Sequence, residues 1–544
     1  MTTDVNGNDE FVDGAEDGSE EEDDRRQGSG WAGWLISFTF HALLIGLMTT
    51  IYFLVKPPDV DVPPVRVATI EPPPKKEEKP KEERTLETTV ELDVQADSDH
   101  PNPISQLDLP VENSEREEES DNPVAKGREE AVADSEMGGS GAFMAIGAGG
   151  GSSGMFGSRT GGGKKRAVGK FGGSKGSESA VDAALRWFKK HQSPNGMWDP
   201  VKYPANCTED PKCEPGKYSN VGDAETTMAM TGYAVLCFLG AGYDHQTPNK
   251  YKAVVKKGLD YMISAQKADG SLGTHNYQNA IATMALAEAF AMTGDPALKT
   301  PAQNGVNTIL ARQNQDLAKA PAAAGTKDPY GGFGWDYSAP NGRSDSSVTG
   351  WNVMALKSAL AAQLNIGNGM EGAKQWLEKV WKANNPDWAK LDPYKGESVF
   401  PYQYMSDQAN GGAPGHQGLA CVGAVCAVFL GHHAGDTMLE SLCNTIMNKQ
   451  TPAAYPCNTY YMYYNTLAIF QVGGERFKRW NTTVRDMLVN AQKKGNGCFD
   501  GSWDWEGTAF HGYDVGRVLS TAYCCLSLEV YYRYAQVAAA DNKK

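Results

Sequence analysis

The sequence predicts an all-α protein, a barrel of six helix pairs carried on a long polar tail. Three observations lead there. From about residue 177 apolar residues recur at helical spacing, and no segment reads as an alternating strand. Within that region one unit recurs, a helix ending in Gln followed by a Gly and a Trp. After each such helix comes a second one that is apolar nearly all round. Amphipathic outer helices surrounding buried inner ones satisfy both patterns.

The chain has 544 residues, with 51 basic and 67 acidic side chains and a formal net charge of −16. That charge is confined to the front. Residues 1–30 hold 11 acidic and 2 basic groups, and residues 56–136 hold 23 and 10, whereas the chain from 137 onward holds 33 and 39. The near-neutral C-terminal part shows no basic stripe, which excludes general nucleic-acid binding.

In chain order, residues 1–30 form an acidic tail expected to be disordered. Residues 31–55 carry no Asp, Glu, Lys or Arg, with Trp31 and Trp34 at one end and Tyr52 at the other. As a helix this stretch would be roughly 37 Å long, enough to span a hydrocarbon core of about 30 Å. It is too long for a signal h-region and no small-x-small site follows, so it reads as an uncleaved anchor. Residues 56–136 are rich in Pro, Glu and Lys and cannot bury enough apolar surface to order themselves. Residues 137–176 are glycine-rich, with 16 Gly in 138–176, and read as a flexible tract. Its GSRTGGGKK (157–165) has Ser158 and Lys165 where a phosphate loop needs Gly and Ser or Thr. Together these segments form a tether of roughly 120 residues, spanning about 60 Å as a coil.

Ser37 and His41 lie one turn apart on the expected anchor helix, and an ionisable side chain at that depth is a functional candidate. S-x-x-x-H followed by PPPKKEEKPKEE (72–83) resembles the N-terminal part of TonB-type energy transducers. That resemblance implies that Ser37 and His41 contact a proton-driven ExbB/ExbD-type motor. Arg25 and Arg26 against Lys56 and Arg66 leave the positive-inside count tied. Ten cysteines behind the helix favour an oxidising side, with the N-terminus cytoplasmic and the bulk outside a bacterial inner membrane.

The repeat region is expected over 177–537, leaving 538–544 as a disordered tail. Val181–Gln192 leads to Gly196 and Trp198; Ala253–Gln266 leads to Gly270, with Leu272 in the Trp place. Pro301–Gln313 leads to Gly332 and Trp335, and Arg485–Gln492 leads to Gly501 and Trp503. Two more outer helices fall near 371–383 and 436–450. Inner helices fall near 222–241, 275–294, 346–364, 416–432, 458–472 and 514–536. Q-x-x-x-G-x-W at Gln192, Gly196 and Trp198 resembles the QW repeats of squalene-hopene cyclases and the related protein prenyltransferases, and SDSSVTGWNVMALKSA (344–359) is similar to a segment of cyclase-like repeat proteins. This resemblance implies an (α/α)6 toroid. The Gln, Gly and Trp themselves suit structural roles: bonding open carbonyls at a helix end, making a turn, and covering the next outer helix.

A polyprene cyclase needs a carboxylic acid held protonated above an apolar cavity. The D-x-D-D that the family implies is absent; Asp345 is the nearest candidate and also suits the N-cap of a helix. Asp504 and Glu506 form a second candidate acid pair, while Asp223 and Glu225 read as acids in a helix first turn. The Asp, Cys and His zinc ligands of prenyltransferases are not found, since Cys498 precedes Asp500. His275, His416, His432, His433 and His511 lack metal-pair spacing, so neither metal nor cofactor is expected. Cys207–Cys213 and Cys443–Cys457 are plausible disulfides. Tyr460, Tyr461, Tyr463, Tyr464, Trp503, Trp505, Tyr523, Tyr531 and Tyr532 either line an apolar cavity or fill the core. The leading expectation is a tethered periplasmic toroid that binds an envelope protein or an apolar ligand. A terpenoid cyclase acting on a polyisoprenoid is the alternative.

Overall fold

A computed structural model describes residues 37–46, 50, 159, 161–314, 333–404, 419–508, 515–536 and 538. The chain divides into two units, Met1–Ser98 and Asp99–Lys544. In the first, residues 37–46 are helical, and the His41 ring bonds the Ser37 carbonyl (2.7 Å) with the Ser37 hydroxyl at 3.5 Å. Among the described residues no helix is long and apolar enough to cross a membrane, and the rest of the expected anchor and linker lies outside them.

The second unit is the ring. After a short helix α1 (Gly161–Lys170), outer and inner helices alternate. The outer ones are α2 (Lys175–His191), α4 (Lys252–Ser264), α6 (Pro296–Arg312), α8 (Gly369–Asn384), α10 (Thr437–Lys449) and α12 (Gly474–Ala491). The inner ones are α3 (Asp223–Gly240), α5 (Asn276–Thr293), α7 (Ser346–Ala361), α9 (Ala420–Phe429), α11 (Thr459–Val472) and α13 (Arg517–Arg533). Each inner helix packs on the next, and α13 packs back on α3, which closes an α/α toroid. Composition explains the sorting. In α9 every residue is buried, whereas α12 buries only Phe477, Trp480, Asn481, Val484 and Leu488, which fall along one helical stripe.

The recurring Gln is a clamp between successive outer helices. Gln192 Nε2 donates to the Gly196 and Val254 carbonyls, Gln266 to Gly270 and Pro301, and Gln313 to Phe333 and Gly369. Gln492 donates to Gly501 and, across the ring closure, to Ala180 in α2. Each Gln thus holds its own loop and the following outer helix, rather than the end of its own helix. Trp198, Trp335 and Trp503 are fully buried, and each indole N–H donates to its own outer helix, at Phe188, Ile309 and Leu488. Gly501 is required where it stands: its φ is +89°, and a Cβ there would lie 2.2 Å from the Ala183 carbonyl oxygen. Gly332 lies outside the described residues.

Two expectations are corrected here. The folded unit reaches back into the glycine tract: α1 packs on α13, with Lys164 buried, paired with Glu178 at 3.3 Å and lying over the Tyr532 ring. Cysteine pairing also fails. All ten cysteines are free thiols, Cys443 inside α10 and Cys457 against Met462 Sδ at 3.7 Å, so neither proposed disulfide exists. A two-residue antiparallel pairing of β1 (Ser344–Asp345) with β2 (Gln403–Tyr404) precedes α7 and α9.

Candidate functional site

The two ends of the ring differ. Around the C-terminal ends of α3, α5, α7 and α13 the centre is filled. Glu288 bonds Arg159 at 2.8 Å, Arg533 at 3.0 Å and the Ser358 hydroxyl at 3.2 Å, all fully buried. Arg533 also donates to the Leu236 carbonyl (2.7 Å) and Arg159 to the Arg533 carbonyl (3.1 Å). Cations at carbonyl-rich helix ends are favourably placed.

At the opposite end a cavity of about 260 Å³ remains. The starts of five inner helices line it: Thr226 of α3, Tyr277 and Gln278 of α5, Ser347 of α7, Thr459 and Tyr460 of α11, and Leu519 of α13. Tyr402, ahead of α9, completes the circuit. Because paired helices alternate direction, the inner ones present their amide ends here together, and oxygen-rich ligands are favoured there. The described lining has hydroxyls, two amides (Asn220 and Gln278), aromatic rings and aliphatic side chains but no charged side chain. Gln278 is buried, and its Oε1 has no hydrogen-bond partner among the described residues. Such an acceptor costs about 1–3 kcal/mol unless water or ligand meets it.

Behind this lining sits Asp345. Its Oδ1 accepts from the Ser347 and Val348 amides (2.9 and 3.0 Å) and from the Ser347 hydroxyl (2.6 Å), capping α7. The β1–β2 pairing, with the Ser346 amide donating to the Tyr402 carbonyl, brings Tyr402 against it. Tyr402 acts on the Asp345 carboxyl, favouring its charged form, and its hydroxyl bonds the Tyr337 hydroxyl. Burial pushes the Asp345 carboxyl above the usual carboxylate range, against those hydrogen bonds and the nearby Arg343 guanidinium. Burial thus moves Asp345 in the direction that the sequence reading assigned to a second carboxylate. A chain runs from a buried acid through two phenols, and both phenols line the cavity.

The other candidates go elsewhere. Asp504 pairs with Lys493 and Arg517, both at 2.8 Å; burial opposes ionisation, but those two cations hold it below its ordinary value. Glu506 is exposed, so the two do not form an acid pair. Asp223 and Glu225 do occupy the first turn of α3, and Glu225 accepts from the Thr274 and His275 amides. His432 pairs with Asp436 at 3.2 Å, while His416 and His511 lie outside the described residues. Of the C-terminal aromatics, Tyr460, Trp505 and Tyr523 line the cavity; Tyr463, Tyr464, Trp503, Tyr531 and Tyr532 are core. Sequence reading missed Tyr337, Tyr402 and Gln278, which no local pattern unites.

No protein-family model and no curated protein matches the chain. Among solved structures it is similar to an inactive variant of an α-1,6-mannanase of Salegentibacter sp. HEL1_6 in complex with α-1,6-mannotetrose. That match has 10% identity over 66% of this chain and 99% of the other, with a TM-score of 0.44. It is similar to an unsaturated glucuronyl hydrolase specific for heparin (12%, 67% and 96%, 0.42) and to cellobiose 2-epimerase from Spirochaeta thermophila DSM 6192 (12%, 65% and 96%, 0.44). Both function readings drawn from the sequence are corrected at this point. Those three similar proteins are named as a mannanase, a glucuronyl hydrolase and an epimerase, not as binding modules or terpenoid cyclases. The cavity lining mixes apolar side chains with hydroxyls, and the groups acting on Asp345 are hydroxyls, an amide and a guanidinium rather than a second carboxylate.

Proposed function

We propose that the mouth of the toroid is the active site of an enzyme acting on an uncharged carbohydrate. The observation that carries this reading is the lining: an uncharged ring of phenols, hydroxyls and one unpartnered amide oxygen, with a buried acid behind it. Sugar hydroxyls supply donors for Gln278 Oε1 and acceptors for the tyrosine hydroxyls. The apolar faces of a pyranose ring stack on Trp505 and the tyrosines. The cavity lies near the lower end of the small-molecule range of about 300–1,000 Å³, a size for one or two rings rather than a folded polyprene.

Asp345, its pKa raised by burial, supplies the proton in its acid form, and Tyr402 and Tyr337 position it toward the ligand. General acid assistance of this kind contributes typically about 10²–10⁴-fold. A raised carboxyl acts in its acid form, so turnover should fall as pH climbs through its pKa. Incubating the full chain with neutral mono- and oligosaccharides, with products separated by chromatography, tests the reading. Conversion by the wild type that drops at least about 100-fold in Asp345→Asn supports it. Conversion unaltered by Asp345→Asn removes Asp345 from the chemistry. Absence of both binding and conversion across neutral sugars sinks the proposal.

A further inference from the structure

The seam where the first and sixth helix pairs meet holds a cluster that plays no part in the site above. His191 ends α2, Cys207 and Cys213 lie in the loop from α2 to α3, and Cys498 lies in the loop before α13. All four are buried. The ligand atoms of His191, Cys207 and Cys498 lie within 4.8 Å of one another. His191 Nε2 is 3.3 Å from Cys207 Sγ and 3.8 Å from Cys213 Sγ. Around a tetrahedral zinc with bonds of about 2.3 Å to sulfur and 2.05 Å to nitrogen, S···N separations come to about 3.6 Å. The spacing brackets that value.

We propose that His191, Cys207, Cys213 and Cys498 form a structural zinc site that clasps the ring shut. The imidazole is already oriented for it: Nδ1 bonds the Trp187 carbonyl at 2.7 Å, which puts its proton there and leaves the Nε2 lone pair facing the sulfurs. Trp187 fixes the ring from one side, with centroids 4.4 Å apart, and its indole N–H holds the Cys498 carbonyl at 3.0 Å. Backbone amides point at two of the sulfurs, Glu209 N–H at Cys498 (3.2 Å) and Cys213 N–H at Cys207 (3.4 Å), as a thiolate requires. The Cys213 thiol now donates to the Cys498 carbonyl at 3.1 Å and completes the set by losing that proton and turning to the metal. Three thiolates around a dication leave one net negative charge, and Lys190 and Arg517 lie close enough to act on His191 electrostatically.

The clasp also reaches the mouth. Glu214, next to Cys213, accepts from Trp505 Nε1 (2.8 Å) and Arg517 Nη2 (2.7 Å), so the loop that binds the metal positions a cavity wall.

The test is the metal content of the full chain, purified without chelator from zinc-supplemented medium. The site predicts about one zinc per chain, lost in Cys498→Ser and retained in Cys443→Ser, whose thiol is buried elsewhere. Should Cys498→Ser fail to fold, cobalt exchange into the wild type decides: thiolate-to-metal charge transfer with tetrahedral d–d bands supports the site. Zinc below about 0.2 per chain with no cobalt spectrum overturns it. A native disulfide joining any two of these three cysteines also overturns it. These readouts are independent of any sugar, so they stand or fall apart from the proposed enzymatic role.

Discussion

The same six inner helices end in opposite ways, and the contrast between base and mouth shows how a ring can be both stable and open. At the base, two arginines and a glutamate meet with no exposure at all, and carbonyls of α3 and α13 accept their spare protons. Buried ions of that kind are tolerable only when each has its partner. At the mouth no described lining side chain is charged, and one buried acceptor waits unfilled. The base pairs its charges within the chain, though Arg533 Nε finds no hydrogen-bond partner among the described residues; the mouth is the open end.

The largest effect should come from breaking the base. Glu288→Gln removes the carboxylate paired with both buried guanidiniums and should cost about 3–5 kcal/mol in denaturant unfolding. Trp503→Ala, which empties a fully buried site beside the Gln492 clamp, should cost about 3–5 kcal/mol by the same measurement. At the mouth the sensitivities reverse. Tyr402→Phe should change stability by about 1 kcal/mol or less, while lowering turnover at least tenfold. A stability loss there as large as at the base would erase the distinction between the two ends.

A smaller effect sharpens the base. Burial pushes the Glu529 carboxyl up to about 8, against Arg533, Lys164 and Arg159. A carboxyl raised in the fold adds stability that is full below its unfolded pKa of about 4.5 and is lost as pH rises through about 8. Thermal midpoints of wild type and Glu529→Gln between pH 5 and 9 should therefore diverge, the wild type declining more steeply. Parallel curves would place Glu529 in its ordinary range.

Much of the ring was legible because its signal is local. Gln192 and Gln492 each end an outer helix a few residues before the Gly and Trp they serve, with Gly196 four and Gly501 nine residues on, and helical spacing sorted inner from outer. What escaped was made by closure. Asp345 and Tyr402 meet only through a two-residue strand pairing, and Tyr337, close to Asp345 in sequence, lies 65 residues from the Tyr402 hydroxyl it bonds. His191 and Cys498 likewise sit at the two ends of the repeat series, where spacing along the chain says nothing of distance. Reading Cys207 and Cys213 as a disulfide followed from their proximity in sequence; a third sulfur from across the seam changes what that proximity means. Arg159 shows the same blind spot, since glycine content marked its neighbourhood as flexible while its guanidinium fills the base.

Amide hydrogen exchange of the full chain, with and without a bound neutral oligosaccharide, tests the mouth directly. The account predicts slowed exchange at 219–226, 277–278, 337 and 402, with residues 236–240, 288 and 533 unchanged. Protection confined to the base, or spread evenly over both ends, would contradict it.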